Sequence, residues 1–333
     1  MHFVKSHMRL FLVTVGALIL VACGWSRFPS GELVMFTAFG PHAFEGRVLV
    51  IRPDGSGLTT VLAPQGLLDY ATAYGNSLKS FKSFKSFTLV SVDQATGGGT
   101  NQTTLSIAQY RPILNLFTSL QQQLPPGGEG RGVPSPDNSK FVATMSPPSQ
   151  PSAVNLWLSD FSTKQFRQLT DNPPLTQDNN PVWSPDGQQI IFVRVVFSPS
   201  LSTSLMTVAT QGGQPSVLLG PSDGVGQAAF SPDGKQLVFT SVNGMEVMDL
   251  STLKRTVILT PSKLYGSPIQ YQTEAIGMSW AKTQDRIVLV LINLATHQNE
   301  LWTAPVTSDG SNLQKIFTAD PGVVILSVTF ISN

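Results

Sequence analysis

An all-β fold, a β-propeller of six four-stranded antiparallel blades, is what this sequence predicts. Three observations carry it: a repeat close to fifty residues long, a tight hairpin signature inside that repeat, and glycine and proline spread along the whole chain. The 28 glycines and 24 prolines punctuate 333 residues without forming a low-complexity tract, as short strands joined by turns require. Hydrophobic residues make up 41%, enough for a sizeable core, and charged residues only 12%, which excludes a disordered polyelectrolyte. A formal net charge of +1 leaves no strongly basic surface, so nucleic acid is not an expected partner.

The repeat is plainest in Pro181–Phe192 (PVWSPDGQQIIF) and Ala228–Phe239 (AAFSPDGKQLVF). Gly132–Ala143 (GVPSPDNSKFVA) is a worn copy, Ile276–Val288 keeps the frame with its turn degraded, and Ser327–Asn333 ends the chain inside another. The residue before each turn, Pro134, Trp183, Phe230, Trp280 and Phe330, recurs at spacings of 49, 47, 50 and 50. A second marker follows each turn in an apolar run: Leu156-Trp157, Leu205-Met206, Val247-Met248 and Leu301-Trp302, with Val48-Leu49 earlier and Leu105 filling the gap between. In Ser-Pro-Asp-Gly, proline sits where φ near −65° is wanted and glycine where φ turns positive, giving a tight hairpin. A third strand, a glycine- or aspartate-containing turn and a fourth strand complete each unit. Four strands per repeat make a propeller blade, and six such repeats fit residues 34–333. Residues 65–130 depart most from the pattern; over Ile113–Leu124 a short helix competes with a strand. The chain opens on a second strand (Leu33–Phe39) and closes on a first strand (Val324–Ile331), so the two are expected in one blade, which leaves no open edge there.

These motifs resemble the TolB-type propeller repeat, whose hallmark is a Trp-Ser-Pro-Asp-Gly hairpin, over essentially the whole chain after the first thirty residues. The resemblance implies six blades and protein partners at a bacterial envelope. The domain that TolB carries before its propeller has no counterpart in this sequence. Some TolB-like propellers are sugar lyases, an alternative that would want a histidine cluster on the central channel.

The N-terminus reads as an address. Lys5 and Arg9 precede a 12-residue apolar run, residues 10–21, followed by Ala22-Cys23-Gly24. That run spans about 18 Å as a helix, too short for a hydrocarbon core of about 30 Å, and the pattern is that of a secretory signal peptide. Leu20-Val21-Ala22-Cys23 resembles the bacterial lipobox, in which the cysteine is acylated and becomes the new N-terminus. The expected organisation is a signal peptide over 1–22, a lipidated tether over 23–32 and a propeller over 33–333. The protein is thus expected to be exported and anchored by lipid on Cys23 to the periplasmic or extracellular face of a bacterial membrane.

Catalytic chemistry finds little material. Gly220-Pro221-Ser222-Asp223-Gly224 matches G-x-S-x-G, but that motif works as a strand–turn–helix elbow, and here it falls between two blades. With one cysteine and four histidines, His2 and His7 among the first nine residues, no intramolecular disulfide and no multi-cysteine metal site can form. No catalytic residue, metal or cofactor is assigned. Asp137, Asp186 and Asp233 read as turn residues bonding nearby backbone N–H groups. Trp157, Trp183, Trp280 and Trp302 read as core, and the tandem Leu78–Phe87, with its three lysines, as a solvated hairpin face.

The two rims differ. One carries minimal turns. The other receives longer polar segments, including Gly40–Gly46, Thr170–Asn180, Phe197–Ser204, Pro261–Glu274 and Asn293–Asn299. Function concentrates in loops held by a rigid scaffold. The candidate binding residues are therefore His42, Gln177, Asp178, Asn179, Asn180, Tyr271, Gln272, Glu274 and His297, expected around the channel mouth of a monomeric propeller. The expected role is a membrane-anchored protein-binding or scaffolding module of the cell envelope; a glycan or small-ligand receptor is the alternative.

Overall fold

The structure, a computed structural model, describes residues 31–40, 43–61, 71–74, 87–95, 102–111, 116–123, 132–147, 149–264, 271–282, 285–306 and 312–332. Its strands follow the repeat. Strands β1 (Glu32–Gly40), β2 (Ala43–Ile51) and β3 (Thr59–Val61) come first, then β4 (Ala71–Tyr74), β5 (Phe87–Ala95), β6 (Gln102–Arg111) and β7 (Leu116–Gln123). The next blade is β8 (Gly132–Pro134), β9 (Lys140–Met145), β10 (Asn155–Asp160) and β11 (Gln165–Gln168). Then come β12 (Thr176–Trp183), β13 (Gln189–Val196), β14 (Ser202–Ala209) and β15 (Ser216–Leu219), and β16 (Ala228–Phe230), β17 (Gln236–Ser241), β18 (Gly244–Asp249) and β19 (Arg255–Leu259). A one-turn helix α1 (Pro261–Leu264) precedes β20 (Tyr271–Trp280), β21 (Arg286–Asn293), β22 (Gln298–Pro305), β23 (Gln314–Thr318) and β24 (Val324–Ser332).

Among the described residues these strands form six four-stranded sheets, each a run of neighbours in sequence except one, ordered β24-β1-β2-β3. Every pairing within the sheets is antiparallel. Side chains are described in five of the sheets, and the account of packing rests on those. The fold class is the expected one, an all-β propeller of four-stranded blades. Closure is also as expected: β24 lies against β1 from Glu32↔Ser332 to Phe39↔Val324. In the part of Ile113–Leu124 that is described the strand prevails, as β7 (Leu116–Gln123), paired along its length with β6.

The first strands of the blades stand innermost. β8 touches β12, β12 touches β16, β16 touches β20, β20 touches β24, and β24 touches β4. The core lies between blades rather than in one centre. Val142, Leu156, Trp183, Phe192 and Met206 fill one wedge; Ile191, Val193, Leu205, Leu237 and Phe239 fill the next. Val238, Met245, Trp280 and Leu289 fill a third, and Phe36, Val288, Leu301 and Phe330 fill a fourth. Each wedge takes alternate residues from two neighbouring sheets, as strand geometry demands. Trp183 and Trp280 are buried here, as expected, and Trp157 and Trp302 pack against the edges of such clusters.

Register corrects one marker. Phe192, Phe239 and Leu289 hold the same place after Trp183, Phe230 and Trp280, and their partners across the ladder are Met206, Glu246 and Trp302. The counterpart of Leu205-Met206 in its blade is therefore Met245-Glu246, not Val247-Met248. The turn between β17 and β18 is shorter than its neighbours, and this displaced the apolar pattern by two residues. The position that elsewhere holds a large apolar side chain here holds a buried carboxylate.

Candidate functional site

The two rims are built differently. On one, the Ser-Pro-Asp-Gly turns repeat a single hydrogen-bond pattern. Ser184 Oγ donates to Asp186 Oδ1 and accepts from Gln189 N at 2.9 Å, and Asp186 Oδ1 accepts from Gln188 N at 3.0 Å. Ser231 with Asp233, and Ser135 with Asp137, repeat it. Gly187 and Gly234 both take φ of +71°, a conformation closed to most side chains, and Gly234 stands beside Pro185 of the preceding blade's turn. The aspartates are turn residues, as expected. The Ser135 hydroxyl and then the Ser139 N–H hold Asp137 down at about 2, against burial that raises it.

The opposite rim holds the candidate residues, but not as loops. Gln177, Asp178, Asn179 and Asn180 belong to β12, the innermost strand of its blade, at the end away from the tight turn. Tyr271, Gln272 and Glu274 occupy the corresponding end of β20, two blades on. Both strands bulge there, β12 between Asn179 and Val182 and β20 between Thr273 and Met278. Bulges turn side chains out of a ladder and recur beside functional sites. Asn180 takes φ of +53° and its Nδ2 reaches Gly226 O of the next blade at 3.5 Å. Gln177, Asn179 and Asn180 are half-buried.

Asp178 departs from the expectation of an exposed loop group. It is fully buried and takes a fork of two bonds from Arg194, Nε to Oδ1 at 2.8 Å and Nη2 to Oδ2 at 2.9 Å. Arg194 in turn lies 5.6 Å over the Phe192 ring. A buried carboxylate so saturated is a packing group. It is paired in register with Arg194 of β13, and the alternation of the strand puts both Thr176 and Asp178 on its buried side.

His297 lies in the turn between β21 and β22, exposed, with φ of +56°. Its N–H donates to Asn293 O at 2.7 Å. Lys164 and Leu253 hold the same place in the turns opened by Asp160 and Asp249, with φ of +54° and +57° and the same bond. The stretch expected as a long loop, Asn293–Asn299, is thus a tight turn. His42 and Cys23, like residues 78–86 of the lysine tandem, lie outside the described residues.

Two groups escaped sequence reasoning. Gln227, just before β16, is buried with neither Oε1 nor Nε2 hydrogen-bonded, and it adjoins the Gly226 carbonyl that Asn180 reaches. Glu246 is buried on β18 and accepts from Ser241 Oγ, Asn243 Nδ2 and two nitrogens of Arg255. Arg255 also binds Asp223 in the crossing between blades. Burial pushes the Glu246 carboxyl up, but the Arg255 and Ser241 hydrogen bonds outweigh it and leave it below its ordinary value. The one visible sign was a lone acid in an apolar run, Gly244–Met248. The G-x-S-x-G stretch is a 3₁₀ turn between blades, Pro221–Asp223, as expected from its position.

Solved structures similar to this one share this architecture. TolB from Acinetobacter baumannii superposes with a TM-score of 0.62 at 15% identity, over 91% of this chain and 67% of that one. A putative TolB from Agrobacterium tumefaciens gives 0.56 at 13% identity, over 92% of this chain and 100% of that one. This chain has a TolB-like propeller fold. The same fold extends to a chain of a nidogen/laminin complex, 0.53 at 11% identity over 90% of this chain and 98% of that one. In sequence, the family described as the dipeptidyl peptidase IV (DPP IV) N-terminal region matches residues 148–305. No curated protein matches. Among the described residues no helix of this TolB-like propeller is long and apolar enough to cross a membrane.

Proposed function

We propose that this protein is a lipid-anchored, extracytoplasmic binding module of the bacterial envelope, with the rim away from the Ser-Pro-Asp-Gly turns as its binding face. The observation that carries the proposal is the channel mouth. Bulged inner strands two blades apart bring Gln177, Asn179 and Asn180 to the same rim as Tyr271, Gln272 and Glu274, on a rigid ring where one ligand can touch several blades. The TolB-like fold supports protein partners. Leu20–Cys23 supports acylation at Cys23 and membrane attachment, with residues 1–22 removed and 33–333 forming the propeller.

The test uses capture from envelope extract with the acylated full chain and its variants. Gln177→Ala with Asn179→Ala should weaken the captured complex at least tenfold, about 1.4 kcal/mol. Lys235→Ala and Gln188→Ala on the tight rim should bind normally. Loss of binding by the tight-rim pair alone would reverse the assignment of the face. Asn180 is better changed to Gly than to Ala, because its positive φ penalises alanine.

A small polar ligand is the second reading, and Gln227 favours it. A buried carboxamide with neither end bonded costs roughly 1–3 kcal/mol, unless water or a ligand supplies a donor and an acceptor. A saccharide or peptide amide that raises Tm in the wild type but not in Gln227→Leu would support that reading.

A further inference from the structure

Large apolar side chains are not spread evenly over the surface. Of the ten that are exposed among the described residues, Leu175, Phe197, Leu201, Val242, Leu294 and Val324 stand on the rim away from the Ser-Pro-Asp-Gly turns. Four of them cluster over two neighbouring blades. Phe197 N donates to Leu175 O, Leu201 ends the same turn, and Val242 N donates to Asp223 O in the crossing between these blades. Leu201 is 69% exposed, Val242 62%, and Leu175 and Phe197 nearly half. Leu175 takes φ of +63°, a conformation costly for a branched apolar residue and typical of functional sites. The segment from Phe197 to Ser204 carries no charge, whereas Lys164, Lys235 and Lys254 stand exposed in turns of the opposite rim.

The direction of β1 decides what can cover this patch. β1 starts at Glu32, opposite Ser332, at the tight-turn end, where Lys282 N donates to Glu32 Oε1 at 2.7 Å. Residues 24–31, eight in number, separate it from Cys23. Fully extended they reach about 30 Å. A nine-residue strand such as β1 is itself about 30 Å long. To pass along a blade and place the other rim on the bilayer, a tether leaving the tight rim would have to stay fully extended, at the conformational-entropy cost of every residue in it, whereas the tight rim meets the bilayer with no such stretch. Nor can two copies in one membrane meet face to face through their outer rims, since both point the same way.

We infer that the propeller stands with its Ser-Pro-Asp-Gly rim against the bilayer, and that the outward patch of Leu175, Phe197, Leu201 and Val242 docks an uncharged, apolar segment of a second protein lying farther from the membrane. The inference rests on anchoring at Cys23 and deepens the proposed binding face.

A photo-crosslinking amino acid placed at Phe197, Leu201, Leu58 or Leu253 in the full chain, expressed in its own membrane, tests it. Phe197 and Leu201 should each give one discrete protein adduct, heavier than the chain by a mass other than its own. Leu58 and Leu253 should label lipid. Leu175→Asp with Val242→Asp should cut the adduct at Phe197 at least tenfold, while the melting curve and membrane fraction stay as in the wild type. Lipid labelling from Leu201, an adduct of twice the chain mass, no adduct at all, or an adduct indifferent to the aspartates each overturns the inference. Cys23→Ser is read separately: if that variant stays in the membrane fraction, the anchoring itself fails, whatever the crosslinks show.

Discussion

The two rims of this propeller are made from the same strands and obey different rules. On the tight rim each turn satisfies itself. A serine and an aspartate, followed by a residue of positive φ (Gly187, Gly234 or Asn138), supply the bonds the hairpin needs, so three blades repeat one geometry. Among the described residues the outer-rim turns share no such pattern. The blade of β12–β15 has a buried Asp178–Arg194 pair, a bulge and an exposed apolar turn; the next blade turns in two residues; the blade of β20–β23 turns through Asn293–His297. Local chemistry fixes one rim, and contacts between elements fix the other.

The largest change that bears on this contrast removes the strand that holds both rims closed. Deleting residues 324–333 takes away β24, its ladder with β1 and the Phe330 packing, and exposes the edge of β1. The truncated chain should lose its cooperative thermal transition. A melting curve within a degree or two of the full chain's would overturn closure by this pairing.

Next comes Asp178→Ala. It leaves Arg194 without its buried partner, and removing one member of such a pair is strongly destabilising. Because Arg194 keeps some solvent contact, the lower end of the range applies, about 3 kcal/mol, read as a drop in the denaturation midpoint. Gln177→Ala beside it should change stability by less than about 0.5 kcal/mol. Equal effects would show that Asp178 is a surface group after all.

On the tight rim Ser184→Ala removes one acceptor and one donor at once, and should cost about 1–2 kcal/mol. The sign of the pH effect follows from the same turns. Asp137 and Asp249 sit at about 2, the first through the Ser135 hydroxyl and the second through the Ser251 hydroxyl, against an ordinary 3.8. A carboxyl held low in the folded state contributes stability that is complete above its unfolded value and is lost as pH falls through the folded one. Tm should therefore fall between about pH 4 and pH 2, and fall less steeply in Ser135→Ala. An identical slope in that variant would break the assignment.

The smallest effect is expected at His297. Glycine there relieves the positive φ at some cost in unfolded-state entropy, so His297→Gly should be neutral or stabilising by up to about 1 kcal/mol. A clear destabilisation would mean that the imidazole makes a contact the turn geometry does not require.

Much of the ring was legible because its period is written in short-range chemistry. Pro185 and Gly187 can adopt few backbones, and Trp183, Phe230, Trp280 and Phe330 mark the innermost strand of each blade whether or not the turn survives. The pairing of β24 with β1 followed from which strand type opened and which closed the chain. The candidate site was legible only by rim. Gln177–Asn180 looked like loop because polar residues beside Asn180-Pro181 break the alternation that identifies a strand, yet β12 pairs there with β13 and with Val154 across the blade gap. Tyr271–Glu274 misled in the same way.

The sequence alone thus determined the blade, its turns and the order of strands, since each depends on residues within a few positions of one another. Which side chains stay exposed and which are spent on packing were decided by tertiary structure. Asp178 is polar in sequence and becomes core because Arg194 lies across the ladder. Leu201 is apolar in sequence and becomes surface because its turn projects beyond the blades. Burial is a property of what packs against a residue, and those neighbours come from strands that only the folded ring brings together.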